Sequence, residues 1–275
     1  MTWRLLSYRQ NSAFENMAID EAVFEETVRT GKSPTLRLYG WRPAAVSIGY
    51  FQDVAAGINL DRCRAEGVDV IRRPTGGKAV FHSAEVTYSL VASRHERLFP
   101  DDIQETYRII SLCLVRALSS LGIEAVLSPP SPSAGRRLLD ACCFSAPSGN
   151  ELLVKGRKIC GSAQMRTRGG FLQHGSILMS FDPDQTADLI LPGHSAGDIE
   201  TLAGSVAVIH EELGRPVTEE TVCEALERGF TEELNIRFSP EDLTATEAVL
   251  SAKLISKYRD LSWRRTRTRA VTAPG

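Results

Sequence analysis

The sequence predicts an α/β or α+β fold, a mixed sheet covered by helices, on three observations. Apolar stripes of helical period, with capping signals at their ends, occur from Ser12 to Gly31 and from Asp102 to Gly122. Short β-branched runs lie between and after them. Lys155-Gly156 separates two strand-like segments as the turn of a hairpin would. Interleaved helices and hairpins of this kind are the signature of a sheet with helical cover.

The elements follow in order. Phe14, Met17, Ala18, Ala22 and Val28 form the apolar face of the first helix, and Gly31 ends it in a left-handed conformation. Strands are expected at Thr35 to Tyr39, Ala45 to Ile48 and Val68 to Ile71. From Val86 to Val91, Thr87 and Ser89 alternate with Val86, Tyr88 and Leu90, the pattern of a half-buried strand. Asp102 and Glu105 make a capping-box-like start to the second helix, whose stripe is Ile103, Tyr107, Ile110, Leu114 and Leu118. Three prolines between Ser128 and Arg137 remove backbone donors, so that stretch reads as a loop. Strands resume at Glu151 to Val154, Arg157 to Ser162 and Phe171 to Phe181. The rest reads as mainly helical, Thr201 to Leu213 and Thr218 to Leu234, before a basic tail. No internal repeat is visible. The expected organisation is one catalytic domain over 1–263 and a tail over 264–275.

Composition narrows the function classes. Of 275 residues 43% are hydrophobic and 24% charged, ordinary for a soluble globular enzyme. A formal net charge of -2 argues against a dedicated nucleic-acid binder. No apolar run is long enough to span a membrane, and the first residues lack a signal-peptide pattern, so the expected location is cytoplasmic. Six cysteines are too sparse for a disulfide framework; each is core filler or a reactive thiol.

Three segments carry candidate chemistry. Arg72 to His82 contains Gly76 and Gly77, which bring backbone close to a neighbour, although a glycine hairpin would look the same. Cys142 and Cys143 follow the proline-rich loop, where either thiol would be accessible and useful if a cation lowered its pKa. In Gly156 to Gln164, Lys158 and Cys160 share one strand face, so the lysine points into a site or out to solvent. His174 lies in Leu172 to Leu178 and by itself would be a structural histidine. Adjacent cysteines without a Cys-x-x-Cys pair do not make a zinc site, and no metal is expected.

Together the motifs RRPTGGKAVFH (Arg72 to His82), CFSAPSGNELLVKGRK (Cys143 to Lys158), GSAQMR (Gly161 to Arg166) and LQHGSIL (Leu172 to Leu178) resemble the biotin/lipoate protein ligase and lipoyltransferase superfamily. Within it the chain is most similar to LipM-type octanoyltransferases. The resemblance implies a catalytic domain related to those of class II aminoacyl-tRNA synthetases. It implies that Cys143 is the acyl-thioester nucleophile and that Lys158 lowers its pKa and contacts the acyl carbonyl. It implies substrate-binding roles for Arg72, Gly76, Gly77, His82, Gly161, Ser162, Ala163, His174 and Gly175. The donor would be octanoyl-acyl carrier protein. The acceptor would be a lipoyl-domain protein such as glycine cleavage H protein or a 2-oxoacid dehydrogenase E2, with no cofactor, nucleic acid or membrane involved.

Two departures from the ligases of this superfamily stand out: Lys78 where they carry a third glycine, and Ser83 where they carry an aspartate. Both weigh against an ATP-dependent lipoate or octanoate ligase. An amidotransferase between lipoyl domains and a non-catalytic acyl-binding protein also compete with the carrier-protein enzyme. The basic run from Trp263 to Arg269 would attract an acidic carrier protein, or serve only as a solvated tail.

Overall fold

The computed structural model describes residues 1–53, 57–128 and 151–260. Its larger sheet has eight strands: β1 (Thr2–Asn11), β2 (Thr35–Trp41), β6 (Glu85–Ser93), β7 (Val126–Leu127), β8 (Leu152–Val154), β9 (Arg157–Thr167), β10 (Gly170–Leu178) and β11 (Arg237–Pro240). They lie in the order β11-β1-β2-β6-β10-β9-β8-β7. β1 runs parallel to both β11 and β2, and every other pairing is antiparallel. A smaller sheet places β3 (Ala45–Ile48) between β4 (Asp69–Arg72), parallel to it, and β5 (Val80–His82), antiparallel. The sheets are mixed, as expected.

Helices cover both faces of the larger sheet. On one face α3 (Ile103–Ser120) packs against α7 (Glu219–Leu234), over a core that includes Trp3, Leu36, Val86, Tyr88, Leu90 and Ile177. The approach is close: a Cβ on Gly229 would fall 2.7 Å from the backbone nitrogen of Ala117. On the other face α1 (Ala13–Thr30) packs against α8 (Ala245–Arg259) and reaches β6 and β10. Ser12 and Glu15 form a capping box at the start of α1, and Gly31, at φ 65°, closes it. A third cluster joins the smaller sheet to α2 (Leu60–Ala65), α4 (Pro183–Ile190) and α5 (Ala196–Ser205). Among the described residues no helix is long and apolar enough to cross a membrane.

Several expectations need correction. β6 alternates as predicted but is buried throughout, because α1 covers the face that Thr87 and Ser89 occupy. Polar residues in a strand therefore mark a buried polar site here, not solvent. The helix expected from Thr201 to Leu213 breaks into α5 and α6 (Ile209–Leu213). Val206, Ala207 and Val208 are buried between them, and the Ala207 amide donates to the Lys158 carbonyl at 3.0 Å. Core burial of this apolar tripeptide against β9 outweighs helix continuation. The C-terminal part also contains β11, paired with β1 at the sheet edge. The turn at Lys155-Gly156 is as expected, with φ of 50° and 78° at its two residues.

Candidate functional site

A cavity opens where the smaller sheet meets the larger one. It is narrow, with an open volume of ≈ 30 Å³. Its apolar wall includes Met17 of α1, Trp41 at the end of β2 and Val80 of β5. Its polar wall is Ser47, Arg73, His82, Thr87, His174 and Ser176. The remaining lining, Gly77, Gly161, Ser162, Ala163 and Gly175, is small. A Cβ on Gly175 would lie 2.5 Å from Ser162 Oγ and 2.6 Å from the Tyr88 ring, so only glycine fits there without displacing the wall.

Of the residues singled out in the sequence, His82, Gly77, Gly161, Ser162, Ala163, His174 and Gly175 line this cavity together. Arg72 does not. Its guanidinium turns away and donates to the carbonyls of Gly49, Tyr50 and Gln52 at 2.8–2.9 Å. Arg73 faces the cavity instead, donating to Ser47 Oγ at 3.0 Å, Gly76 O at 2.7 Å and Lys78 O at 2.8 Å. Gly76 thus contributes its carbonyl to the arginine clamp. Gly77 sits at φ 92°, and Gly49 packs on its carbonyl so closely that neither tolerates a side chain.

Lys158 is buried on β9, where it forms an ion pair with Glu151. A buried ammonium needs such a partner. Cys142 and Cys143 lie outside the described residues, as does the tail from 261 onward. Cys160, on the same strand as Lys158, is buried in the core.

Two histidine–carboxylate sets line or back the cavity. In the first, His82 Nδ1 bonds Glu85 Oε1 at 2.8 Å and His82 Nε2 bonds Ser47 Oγ at 2.7 Å. The same Glu85 oxygen accepts from Thr87 at 2.6 Å and Ser176 at 2.7 Å. Trp41 stacks on the His82 ring at 3.9 Å and donates to Thr87 at 2.8 Å. Burial pushes the Glu85 carboxyl up, but His82 and the two hydroxyls outweigh it and leave the pKa below the usual range. In the second set, His174 Nε2 bonds Thr75 Oγ1 at 2.7 Å, and its Nδ1 lies 3.6 Å from Asp20. Asp20 is paired with Arg37 at 2.7 Å and accepts from Tyr39 at 2.9 Å. Burial lowers the His174 pKa, and Asp20 only partly opposes that.

Ser47, Arg73, Glu85 and Asp20 were not anticipated as site residues. Their signals in the sequence are weak: one serine in an otherwise apolar strand run, the second of two arginines, a carboxylate at the start of a strand and another within a helix.

The lipoyl protein ligase A/B catalytic domain model matches residues 12–231. The chain belongs to that family. Within it, the kinship is with LipM octanoyltransferases. The chain is 43% identical to octanoyltransferase LipM of Kyrpidia tusciae over 268 residues, 95% of this chain and 98% of the relative. It is 35% identical to octanoyltransferase LipM of Bacillus subtilis, over 95% of this chain and 97% of the relative. The family fold is equally clear in solved structures. Lipoate-protein ligase A bound with ATP superposes with a TM-score of 0.79 at 28% identity, covering 96% of this chain and 98% of that one. A bipartite lipoate protein ligase studied with its E2 lipoyl domain, from Thermoplasma acidophilum, gives 0.80 at 26% identity, covering 99% and 100%.

Proposed function

We propose that this chain takes octanoyl from octanoyl-acyl carrier protein, holds it as a thioester on Cys143 and delivers it to a lysine of a lipoyl-domain protein. Glycine cleavage H protein and 2-oxoacid dehydrogenase E2 are acceptors of that class. The observation that carries this reading is the near full-length kinship with LipM octanoyltransferases. The cavity's lining supports it, because small residues on one wall and apolar Met17, Trp41 and Val80 on another are surfaces against which an alkyl chain would pack. Burying about six methylenes at roughly 0.8 kcal/mol each contributes about 5 kcal/mol to acyl binding.

The first step exchanges one thioester for another. The Cys143 thiolate bonds the acyl carbon and the carrier's thiol leaves, so no external energy source is needed. Lys158, buried and paired with Glu151, is the cation that would favour the thiolate. In the second step the acceptor lysine attacks the acyl-enzyme, and Cys143 is released.

The test omits ATP and magnesium. Octanoyl-acyl carrier protein and H protein should give octanoylated lysine. Without acceptor, intact mass should show octanoyl on Cys143, released by hydroxylamine, and Cys143→Ser should do neither. The likeness to an ATP-bound lipoate-protein ligase favours one second reading, an ATP-dependent ligase. Product that requires ATP and persists in Cys143→Ser would establish that reading instead.

A further inference from the structure

We propose that the acyl carrier protein docks on a cationic end of the larger sheet, formed by Arg94, Arg97 and Arg168, and that its acyl-bearing arm reaches the cavity along β9. The proposal rests on the carrier-protein reading above and adds to it the place where the donor binds.

Three segments meet at that end. β10 begins at Gly170, opposite Ser93, the last residue of β6. The Arg94 amide donates to the Gly169 carbonyl at 2.8 Å, which ties the segment after β6 to the turn between β9 and β10. A Cβ on Gly169 would fall 2.2 Å from Val28 Cγ1, so the last turn of α1 presses on the same point. Each segment carries exposed cations: Arg94 and Arg97 after β6, Arg168 in the turn, Arg29 and Lys32 at the end of α1. Arg29 and Lys32 share the buried Glu26, at 2.8 and 3.9 Å. Arg94, Arg97 and Arg168 have no ion pair among the described residues. The acids nearby are engaged: Glu96 accepts from the Leu98 amide at 3.1 Å, Asp102 caps α3, and Asp101 lies 4.0 Å from Arg166. The whole chain has a formal charge of -2, so this concentration of arginine is local. Such a patch attracts an acidic surface over a Debye length, about 10 Å at moderate salt.

The position of the patch favours the donor over the acceptor. Ala163 lines the cavity, and Thr167 ends β9 next to Arg168. They are four residues apart (167 against 163), about 13 Å of extended chain. Ala163 and Met165 share the α1 side of β9, and both are half-buried. Met165 packs in one cluster with Phe24 and Val28 of α1, so the way from the patch to the cavity has an apolar floor and an apolar side. A lysine on a surface seated over the arginines is too short to cover that distance. The long, flexible prosthetic arm of a carrier protein covers it, and the acidic body of the carrier matches the charge on which it would sit.

The experiment compares two donors, octanoyl-acyl carrier protein and octanoyl-pantetheine, which has the arm without the protein. Transfer to H protein by the full chain is measured at low and at high salt. Arg94→Glu, Arg97→Glu and Arg168→Glu together should lower kcat/KM for the carrier protein by about tenfold at low salt. The loss should shrink as salt rises. With octanoyl-pantetheine kcat/KM should stay at its wild-type value, and so should KM for H protein and the melting temperature. Arg168→Gln alone, a milder change, should give a smaller loss in the same direction. A carrier whose acidic surface residues are reversed to lysine should regain rate with the triple variant. An undiminished rate with the carrier protein, or an equal loss with both donors, would overturn the docking site. A rise in KM for H protein in place of the loss with the carrier would overturn it too, and would assign the patch to the acceptor. Failure of the wild-type chain to take octanoyl from the carrier protein at all would instead remove the reading beneath it.

Discussion

His174 with Asp20 and His82 with Glu85 are both histidine–carboxylate pairs beside one cavity, yet they are electrically unlike. Asp20 is locked by Arg37, and Arg37 is itself held by Asn16 Oδ1 at 2.6 Å and lies over the Tyr39 ring at 4.0 Å. Burial pushes Asp20 up, and Arg37 and His174 more than reverse that. Glu85 reaches a lowered pKa without any arginine or lysine bonded to it among the described residues, through His82 and hydroxyls alone. The lesson is that a histidine–carboxylate pair is not defined by its distance. One carboxylate is satisfied by a permanent cation and the other by a histidine and hydroxyls, although both stay below their ordinary range.

The largest effect should come from breaking the locked set. Arg37→Met leaves the buried Asp20 without its permanent cation, with only Tyr39 and His174 beside it, and should lower unfolding free energy by about 3–5 kcal/mol. Urea denaturation measures it. Asp20→Asn in the same chain should recover much of the loss, since the orphaned charge is then gone. If the double variant is as unstable as the single one, packing rather than charge holds that set together.

Acid should act next, and on both sets at once. The carboxyls of Asp20, Glu85 and Glu247 titrate below their ordinary values in the folded chain. The stability they add is therefore complete above the unfolded values of about 4 and is lost as pH falls through the lowered folded ones. Melting temperature should begin to fall below about pH 6.5, where unfolding lets the buried His174 take up a proton, and fall further below about pH 4 as the carboxyls protonate. A Glu247→Gln chain should lose the share of that slope tied to the Arg4 pair at 2.6 Å.

Much of this frame was legible in the sequence, and what was missed has a physical cause. α1 and its caps, α3, β3 and the hairpin at Lys155-Gly156 follow from local signals, because capping and turn geometry are local. β11 was not legible: Arg237 to Pro240 is a mostly polar edge strand with pairing but little burial. The break at Val206 was invisible because a bond to the Lys158 carbonyl, 49 residues away in sequence (207 against 158), decides it. Motif comparison brought His82, His174 and the small residues to one place. Arg73 rather than Arg72 could not be chosen, since neighbouring positions on an extended chain point opposite ways and sequence does not say which way is in. Ser47 and Glu85 required the register of three strands.

A smaller effect on stability sharpens the open set. In Glu85→Gln the amide oxygen keeps an acceptor for Thr87 and Ser176, and the new NH2 lies where a partnerless oxygen lay before. The expected change in unfolding free energy is under about 1.5 kcal/mol. A destabilisation matching that of Arg37→Met would make Glu85 a structural anion and erase the difference between the sets.

The smallest effect should come from the serine's counterpart, Thr75. Its hydroxyl meets His174 Nε2 at 2.7 Å, as Ser47 meets His82, but no arginine is seen to donate to it among the described residues. Burial lowers the His174 pKa, so this hydroxyl meets a neutral imidazole. Thr75→Val preserves shape and removes one neutral hydrogen bond, leaving the His174 nitrogen unpartnered in a buried site. In urea denaturation that should lower stability by about 1 kcal/mol. A loss as large as that of Arg37→Met would show that this hydroxyl, not the Arg37 ion pair, holds the set together.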